Sequence, residues 1–166
     1  QSVTLVSNAE HIDSFQELLG DGSNFGITIE YKIQEMPEGI PAAISLVSEK
    51  FKDRELALVL GDNLFYGTGL GMSLETIDNQ GATILAYQVG DVSAFGCVEF
   101  NENDQVTTIT EKPKNSKAGW AIPGIYYFSP DVYTKIQNLK KSLPSRQLQE
   151  QKKHQKFLKN NELLFR

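Results

Sequence analysis

Asp62 is the residue whose type and position most clearly suggest chemistry. It follows the apolar run Leu56–Leu60 and sits within the sequence Gly61-Asp62-Asn63. A continuous apolar run of this length is typical of a strand covered on both faces. Ligands of open α/β sheets bind beyond the carboxyl ends of strands, and one carboxylate acting with phosphate groups can hold Mg²⁺. Because an Asp in this position also often caps a helix or forms a turn, residue type alone leaves both interpretations open.

The segment 34–39 (QEMPEG) offers groups that suit a flat, polar ligand. Gln34 stands at the end of a predicted strand, where its amide provides a donor and an acceptor for the edge of a nucleobase. Gly39 follows a turn, and a glycine there lets the backbone approach such a ligand closely. An ordinary turn explains the same residues, and in isolation it is the favoured explanation.

Two further candidates combine charges that recognise sugars and phosphates. Glu111 and Lys112 are adjacent residues that follow the predicted strand 106–110. The Glu111 carboxylate could bind sugar hydroxyl groups, and the Lys112 ammonium could bind a phosphate. Arg146 adds a guanidinium, which is a good phosphate ligand. Solvated surface charges are the alternative in both cases. Each signal is weak alone, and their order and spacing carry the weight.

The elements that must position these residues follow from the hydrophobic patterns. Buried or alternating runs predict strands at 1–7, 27–34, 56–60, 82–89, 97–100, 106–110 and 120–128, and helical spacing predicts helices at 9–19, 42–51, 70–78 and 130–139. Helices alternate with strands in the first half, and strands then pair locally. This order predicts an α/β fold with a mostly parallel, layered sheet and a β-hairpin insertion.

Composition excludes several classes of function. The 166 residues carry a net charge of −5, so there is no basic field that would hold nucleic acid. Cys97 is the single cysteine and lies in an apolar run, which predicts a buried thiol in a reducing setting. No apolar run is long enough to span a membrane, and the N-terminus has no signal-like pattern, so we expect a cytoplasmic location.

Five separated motifs, in order, give the chain its resemblance to a known family. It resembles the glucose-1-phosphate thymidylyltransferases, within the sugar-1-phosphate nucleotidyltransferases, and the likeness runs from about Val3 to Arg146. The matching segments are Gly20-Asp21-Gly22 with Tyr31–Gly39, Leu58–Gly67 (LVLGDNLFYG), Ala86–Phe100, Glu111-Lys112-Pro113, and Ala121–Tyr126 (AIPGIY).

The resemblance implies a Rossmann-like, three-layer fold and a Mg²⁺-dependent reaction. In that reaction dTTP and glucose 1-phosphate form dTDP-glucose and release pyrophosphate. The sugar phosphate is itself the nucleophile, so catalysis would rest on alignment and charge neutralisation. By the same resemblance, Gln34 and Gly39 contact the base, Asp62 holds Mg²⁺, Gly96, Glu111 and Gly124 line the sugar pocket, and Lys112 and Arg146 grip the sugar phosphate.

The chain also departs from the family's pattern. The family's opening strand and its loop "GGxGTRLxPxT" have no counterpart among these residues, nor does the later segment with a second metal-binding Asp. After Arg146 the family's acidic stretch is replaced by Gln and Lys. We therefore expect a truncated core at 1–146, a divergent polar C-terminal helix at 147–166, and a single metal carboxylate, Asp62.

These departures set the functional expectations. The principal one is a partial nucleotidyltransferase domain that binds a sugar phosphate or nucleotide sugar without turnover. The alternatives are an enzyme completed by another chain and a repurposed protein–protein interaction module. Because the family's first strand lies in the middle of the sheet, we also expect either that segment 3–7 lies beside 56–60 or that a homodimer or other self-association covers the exposed edges.

Overall fold

The structure, a computed structural model, describes residues 1–36, 38–68, 74–75, 77, 81–114, 117–141 and 163–165. The chain divides into two compact units, Gln1–Lys50 and Phe51–Arg166. The boundary that the sequence predicted at 146/147 falls outside the described residues, as does the segment 147–162. Only Leu163–Phe165 of the predicted C-terminal helix is described, and it forms a strand.

The first unit is built on two parallel strands joined by a helix. Strand β1 (Ser2–Ser7) pairs in register with β2 (Thr28–Ile33), and helix α1 (Ala9–Leu19) lies between them in sequence. Asn8 caps α1 as predicted, because its Oδ1 accepts the amide of His11 at 3.0 Å. After β2 the chain turns into helix α2 (Ile40–Phe51).

The second unit contains the remaining strands and one further described helix. In chain order these are β3 (Leu56–Val59), β4 (Ala82–Ile84), β5 (Tyr87–Val89), β6 (Gly96–Phe100), β7 (Val106–Glu111), β8 (Gly119–Ile122), β9 (Ile125–Phe128), α3 (Val132–Lys141) and β10 (Leu163–Phe165). They form two four-stranded sheets with strand orders β10-β4-β9-β3 and β5-β8-β6-β7. The buried side chains Ile84, Phe128 and Ile136 belong to the core of this unit.

Two predicted strands, 82–89 and 120–128, are each split between the two sheets. Ile84 pairs with Tyr126 in one sheet, and Tyr87 pairs with Ala121 in the other. Two residues lie between Ile84 and Tyr87 along the chain, whereas four lie between Ala121 and Tyr126. The longer connection contains Pro123, which has no amide hydrogen for a strand ladder. The extra residues interrupt the pairing and leave Gly124 between β8 and β9, at the point where the candidate site lies.

The α/β class is confirmed, but the expectation of a mostly parallel sheet is wrong. Among the described strands, β1–β2 and β4–β10 pair in parallel, and β9 runs antiparallel to both of its neighbours, β3 and β4. Every described pairing in the second sheet of this unit is antiparallel. Local patterns predict that a strand exists, but the direction of its partner depends on distant connections.

The predicted hairpin is confirmed, whereas the first of the two alternatives for covering the sheet edges, segment 3–7 beside 56–60, is wrong. Strands β6 and β7 pair around a turn in which Asn101 Oδ1 accepts the amides of Asn103 and Gln105. Within the described residues, β3 pairs with β9 and β1 pairs with β2, so segment 3–7 is not the strand partner of 56–60. Most of the predicted helix 70–78 lies outside the described residues. No described helix is long and apolar enough to cross a membrane.

Candidate functional site

The turn that follows β3 presents Asp62 at the surface. The amide of Asn63 donates to the Leu60 carbonyl at 3.1 Å, which closes the turn around Gly61 and Asp62. The amide of Leu60 donates to the Gly124 carbonyl at 2.8 Å, so the turn is held against the connection between β8 and β9. The Asp62 side chain is therefore exposed on an anchored turn, beyond the carboxyl end of a strand, as the sequence predicted.

Asn63 joins Asp62 to Gly124 through its side-chain amide. Its Oδ1 accepts the Gly124 amide at 3.1 Å, and its Nδ2 donates to Asp62 Oδ1 at 2.6 Å. Gly124 is buried, and a Cβ at its position would lie 2.6 Å from Asn63 Nδ2 and 2.8 Å from Leu60 Cβ. Any larger residue would therefore displace the turn, which gives Gly124 a structural reason beside its predicted place in a sugar pocket.

Gly96 and Glu111 are direct cross-strand partners on β6 and β7. A Cβ on Gly96 would lie 3.1 Å from Glu111 Oε2, so the carboxylate rests over the glycine. Gly96 also pairs with Ile122, two residues before Gly124. The structure thus brings the three predicted sugar-binding residues, Gly96, Glu111 and Gly124, to one region of the second unit.

Lys112 adopts a backbone conformation that is uncommon for a residue with a side chain. Its φ is +43°, in the left-handed region, and its amide donates to the carbonyl of Phe95, the neighbour of Gly96, at 2.9 Å. The side chain is exposed beside Glu111. Non-glycine residues in this region carry strain and are concentrated at functional sites, which is consistent with a binding role for the ammonium group.

Tyr126 lies within electrostatic reach of both acidic candidates. Only 3% of this residue is exposed. Burial raises the pKa of its phenol to about 12, and the negative charges of Glu111 and Asp62 contribute to that rise. Because the phenol is affected by both carboxylates, Asp62 and Glu111 belong to one electrostatic environment. The Tyr126 hydroxyl group therefore stays protonated even at alkaline pH, up to about pH 12.

The donor set fits a cation that arrives with its phosphates better than one held by protein alone. Among the described residues there is no group of three or more His, Cys, Asp or Glu side chains that could hold a metal ion. Mg²⁺ commonly binds through one or two carboxylates together with substrate phosphates. The exposed Asp62 carboxylate meets that lower requirement.

The first unit brings together the two predicted base-binding residues. The main-chain amide of Gln34 donates to the Ser7 carbonyl at 2.8 Å, and this bond fixes the end of β2 beside the end of β1. The Gln34 side chain lies 3.5 Å from the Gly39 carbonyl, a long contact that leaves its amide group adaptable. Gly39 has φ +82°, and its carbonyl accepts the amides of Ala42 and Ala43 at the start of α2.

Sequence reasoning assigned no role to Asn63 or Tyr126, although both lie within recognised motifs. Asn63 acts through a residue 61 positions away, so no local pattern could have revealed its bond to Gly124. The signal for Tyr126 was an aromatic residue with a hydroxyl group in an otherwise buried strand. Arg146, the second predicted phosphate ligand, lies outside the described residues.

Comparison with known proteins places these residues in a family. Residues 1–165 match the nucleotidyl transferase family profile. A glucose-1-phosphate thymidylyltransferase of Neisseria meningitidis serogroup A is 40% identical over 144 residues, which cover 86% of this chain and 50% of that protein. The enzyme of the same name from Mycolicibacterium smegmatis is 38% identical over 143 residues, with the same coverage. The chain thus spans about half the length of these relatives.

Solved structures agree with the fold. A Bacillus anthracis protein assigned as a glucose-1-phosphate thymidylyltransferase, crystallised with sucrose, superposes with a TM-score of 0.79 at 27% identity, covering 98% of this chain and 66% of that one. HddC from Yersinia pseudotuberculosis gives a TM-score of 0.67 at 16% identity, covering 99% of this chain and 68% of its own. At that identity the second likeness supports the fold alone.

Proposed function

The chain belongs to the nucleotidyl transferase family, and on that premise we propose that each unit carries part of the substrate recognition of a glucose-1-phosphate thymidylyltransferase. In the second unit Gly96, Glu111 and Gly124 would receive the sugar, with Lys112 on its phosphate. In the first unit Gln34 and Gly39 would receive the thymine base.

The observation that carries this proposal is the convergence in the second unit. The Asn63 side chain is hydrogen-bonded to both Asp62 and Gly124. The Glu111 carboxylate lies over Gly96. The charges of Asp62 and Glu111 both contribute to the raised pKa of Tyr126. Acceptors for sugar hydroxyl groups and a carboxylate for a cation therefore occur in one small region. In a sugar 1-phosphate, the hydroxyl groups that need acceptors and the phosphate that binds a cation lie only a few bonds apart.

The chemistry we propose for this region is alignment and charge neutralisation. The attacking group is an oxygen of the sugar phosphate, so the protein needs no nucleophile of its own. Lys112 and, by resemblance, Arg146 would offset the negative charge of the phosphates. Asp62 would hold Mg²⁺, which would supply further charge neutralisation. Glu111 would orient the sugar ring through its hydroxyl groups.

We expect the 166-residue chain to bind without turning over. Its residues include no glycine-rich loop of the "GGxGTRL" kind, whose backbone amides would cradle a triphosphate. A pyrophosphate-release assay with dTTP, glucose 1-phosphate and Mg²⁺ tests this directly. Turnover above background would instead favour a catalytically competent chain.

Binding is tested by calorimetry with glucose 1-phosphate, and separately with dTDP-glucose, in the presence of Mg²⁺. Glu111→Gln should weaken binding of the sugar phosphate by about tenfold or more, because hydrogen bonds to a charged group contribute about 1.5–3 kcal/mol. Glu99→Gln is the matched control. Glu99 is a neighbouring strand carboxylate whose partner is the exposed Lys117, at 2.6 Å, and its loss should leave affinity unchanged.

The same titrations separate the alternatives. No heat at millimolar ligand would contradict the proposal and favour a protein–protein interaction module. Equal losses in Glu111→Gln and Glu99→Gln would show that the effect is one of general surface charge and would place the sugar elsewhere.

A further inference from the structure

The segment that joins β5 to β6 is hydrogen-bonded to both ends of the connection between β7 and β8. Just after β7, the Lys112 amide donates to the Phe95 carbonyl at 2.9 Å. Just before β8, the Val92 amide donates to the Lys117 carbonyl at 3.1 Å. The Phe95 amide donates to the Val92 carbonyl at 3.0 Å and closes the turn 92–95 between these two points. A displacement of this turn therefore reaches Lys112 through a single hydrogen bond.

The Val92 side chain fixes the turn 92–95 by packing against a glycine. Val92 is fully buried, with 0% of its surface exposed. A Cβ at Gly119, the first residue of β8, would lie 3.2 Å from Val92 Cγ1 and 3.8 Å from Val92 Cγ2. Carbon atoms in contact are normally about 3.5–4.0 Å apart, so a side chain at position 119 would displace Val92 by a few tenths of an ångström. The absence of a side chain at Gly119 therefore gives Val92 its place.

Lys112 is the residue whose conformation depends most directly on this turn. Its φ of +43° is unfavourable for a residue with a side chain, and such a conformation persists only where the surrounding structure enforces it. The main-chain hydrogen bond to Phe95 is one contact that does so. If the turn 92–95 moves, that bond weakens, the backbone of Lys112 relaxes, and its ammonium group points in another direction.

We propose that Val92 and Gly119 are positioning residues that set the direction of the Lys112 side chain and thereby the affinity for a sugar phosphate. This inference deepens the proposed function and rests on it. Neither residue need touch the substrate, since Val92 is buried and Gly119 has no side chain. Because Lys112 is the group that carries the effect to the ligand, the effect should vanish once Lys112 has been replaced.

Two substitutions of opposite steric effect test the contact. Gly119→Ala adds the methyl group that displaces Val92. Val92→Ala removes both atoms that lie near that methyl group, so the double substitution has room for it. Gly90→Ala is the matched control, because Gly90 lies two residues before Val92 and a Cβ there meets nothing within 4 Å. Val132→Ala, on α3, controls for the loss of a buried valine, since Val132 is 1% exposed.

The first test needs no ligand and follows hydrogen exchange at the Lys112 amide by NMR. Gly119→Ala should make this amide exchange about three- to tenfold faster, the range expected for weakening one hydrogen bond. In the Val92→Ala background, Gly119→Ala should have no further effect, and Gly90→Ala alone should have none. Val92→Ala alone loosens the turn and should speed exchange about two- to threefold, which covers the case in which Gly119→Ala fails to fold.

The second test measures affinity for glucose 1-phosphate by calorimetry. Gly119→Ala should weaken binding about fivefold, because the Lys112 ammonium is misdirected rather than removed. In a Lys112→Gly background, Gly119→Ala should have no further effect on affinity. Val132→Ala should unfold at lower urea concentration but bind as the unaltered chain does. This control separates positioning of Lys112 from a general loss of stability.

The outcomes distinguish the inference from the proposed function. Equal exchange rates of the Lys112 amide in Gly119→Ala and in the unaltered chain would overturn the inference, whatever the ligand does. A loss of affinity that persists in full in the Lys112→Gly background would also overturn it, since the effect would then act through another group. If glucose 1-phosphate does not bind the unaltered chain, the proposed function fails, while the exchange measurement still decides whether Val92 and Gly119 control Lys112.

Discussion

At the scale of single residues, Tyr126 shows how burial and charge act together on one group. Its phenol is held neutral by burial and by the nearby charges of Glu111 and Asp62, with a pKa of about 12 against the ordinary value of 10. A pKa that is raised in the folded state adds stability that is complete below pH 10. That stability is lost as the pH rises from about 10 to about 12, because the unfolded chain ionises first.

We therefore expect Tyr126→Phe to flatten the alkaline loss of stability. By pH 12 the stability lost through Tyr126 amounts to about 2–3 kcal/mol, because a difference of one in pKa corresponds to about 1.36 kcal/mol. The free energy of unfolding in urea is measured for both proteins at intervals between pH 8 and about 11.5. Taking the difference between the two proteins at each pH cancels the contribution of the titrating groups that they share. Tyr127→Phe is the comparison: burial alone raises the pKa of Tyr127, without the two carboxylates, so this substitution should flatten the profile less. Parallel pH profiles for Tyr126→Phe and the unaltered chain would contradict the assignment.

Residue types predicted Asp62, Glu111 and Lys112, because charged groups at strand ends stand out in a sequence. They did not predict that Gly124 must be a glycine for steric reasons or that Asn63 would bond to it. Those properties arise from a contact between residues 61 positions apart, which exists only after β8 and β9 have been separated. Residue identity alone therefore proposed the candidate groups, but it did not predict the contacts that hold them in place.

At the scale of the elements, hydrophobic periodicity predicted nearly every described strand but not how the strands are shared between sheets. The run 82–89 is continuously apolar enough to be one strand, yet β4 and β5 belong to different sheets. What divides them is the unequal spacing of their partners around Pro123 and Gly124. The sequence of one strand does not show where its partner strand contains extra residues. The division of 82–89 between two sheets could therefore not be predicted from that segment alone.

The ends of β7 provide a test of backbone strain at the site. Lys112 and Asp104 are the non-glycine residues with positive φ within the described part of the chain, at +43° and +57°. Lys112→Gly removes a left-handed penalty of about 1–2 kcal/mol, offset by the greater freedom of glycine in the unfolded chain. We expect stability to stay equal or to rise by up to about 1 kcal/mol, while affinity for glucose 1-phosphate falls severalfold.

Asp104→Gly is the matched control for that substitution. It makes the same backbone change in the turn of the β6–β7 hairpin, where Asp104 donates its amide to the Asn101 carbonyl at 3.1 Å. Its stability should change little, because Asp tolerates the left-handed region better than Lys does, and sugar phosphate affinity should not change. Chemical denaturation and calorimetry on the same samples provide both measurements. A marked loss of stability in Lys112→Gly would show that its aliphatic stem, rather than its charge, is what matters.

At the scale of the whole molecule, exposed apolar side chains predict self-association. Strand β3 has one described neighbour, β9, and Val59 at its end is 54% exposed. Leu64 and Tyr66, just beyond the Asp62 turn, are 91% and 92% exposed. Edge strands and exposed apolar residues of this kind are normally covered in a stable protein. We therefore propose that copies of the chain associate through the segment 59–66.

Sedimentation velocity over a range of protein concentrations tests this proposal. The sedimentation coefficient should rise with concentration, and more strongly at higher salt, because the net charge of −5 repels like copies until it is screened. The double substitution Leu64→Ser with Tyr66→Ser should reduce the association at least about fivefold. Its unfolding free energy should stay within about 0.5 kcal/mol, since nearly fully exposed side chains contribute little to a monomer's core.

Leu18→Ser is the control for that experiment, because Leu18 is a comparably apolar residue, 75% exposed, on α1 of the first unit. If association depends on the segment 59–66, Leu18→Ser should sediment like the unaltered chain. If it weakens association as much as the double substitution does, the contact is a nonspecific effect of exposed apolar area. A concentration-independent monomer in the unaltered chain would remove the case for self-association and leave β3 as a solvent-facing edge.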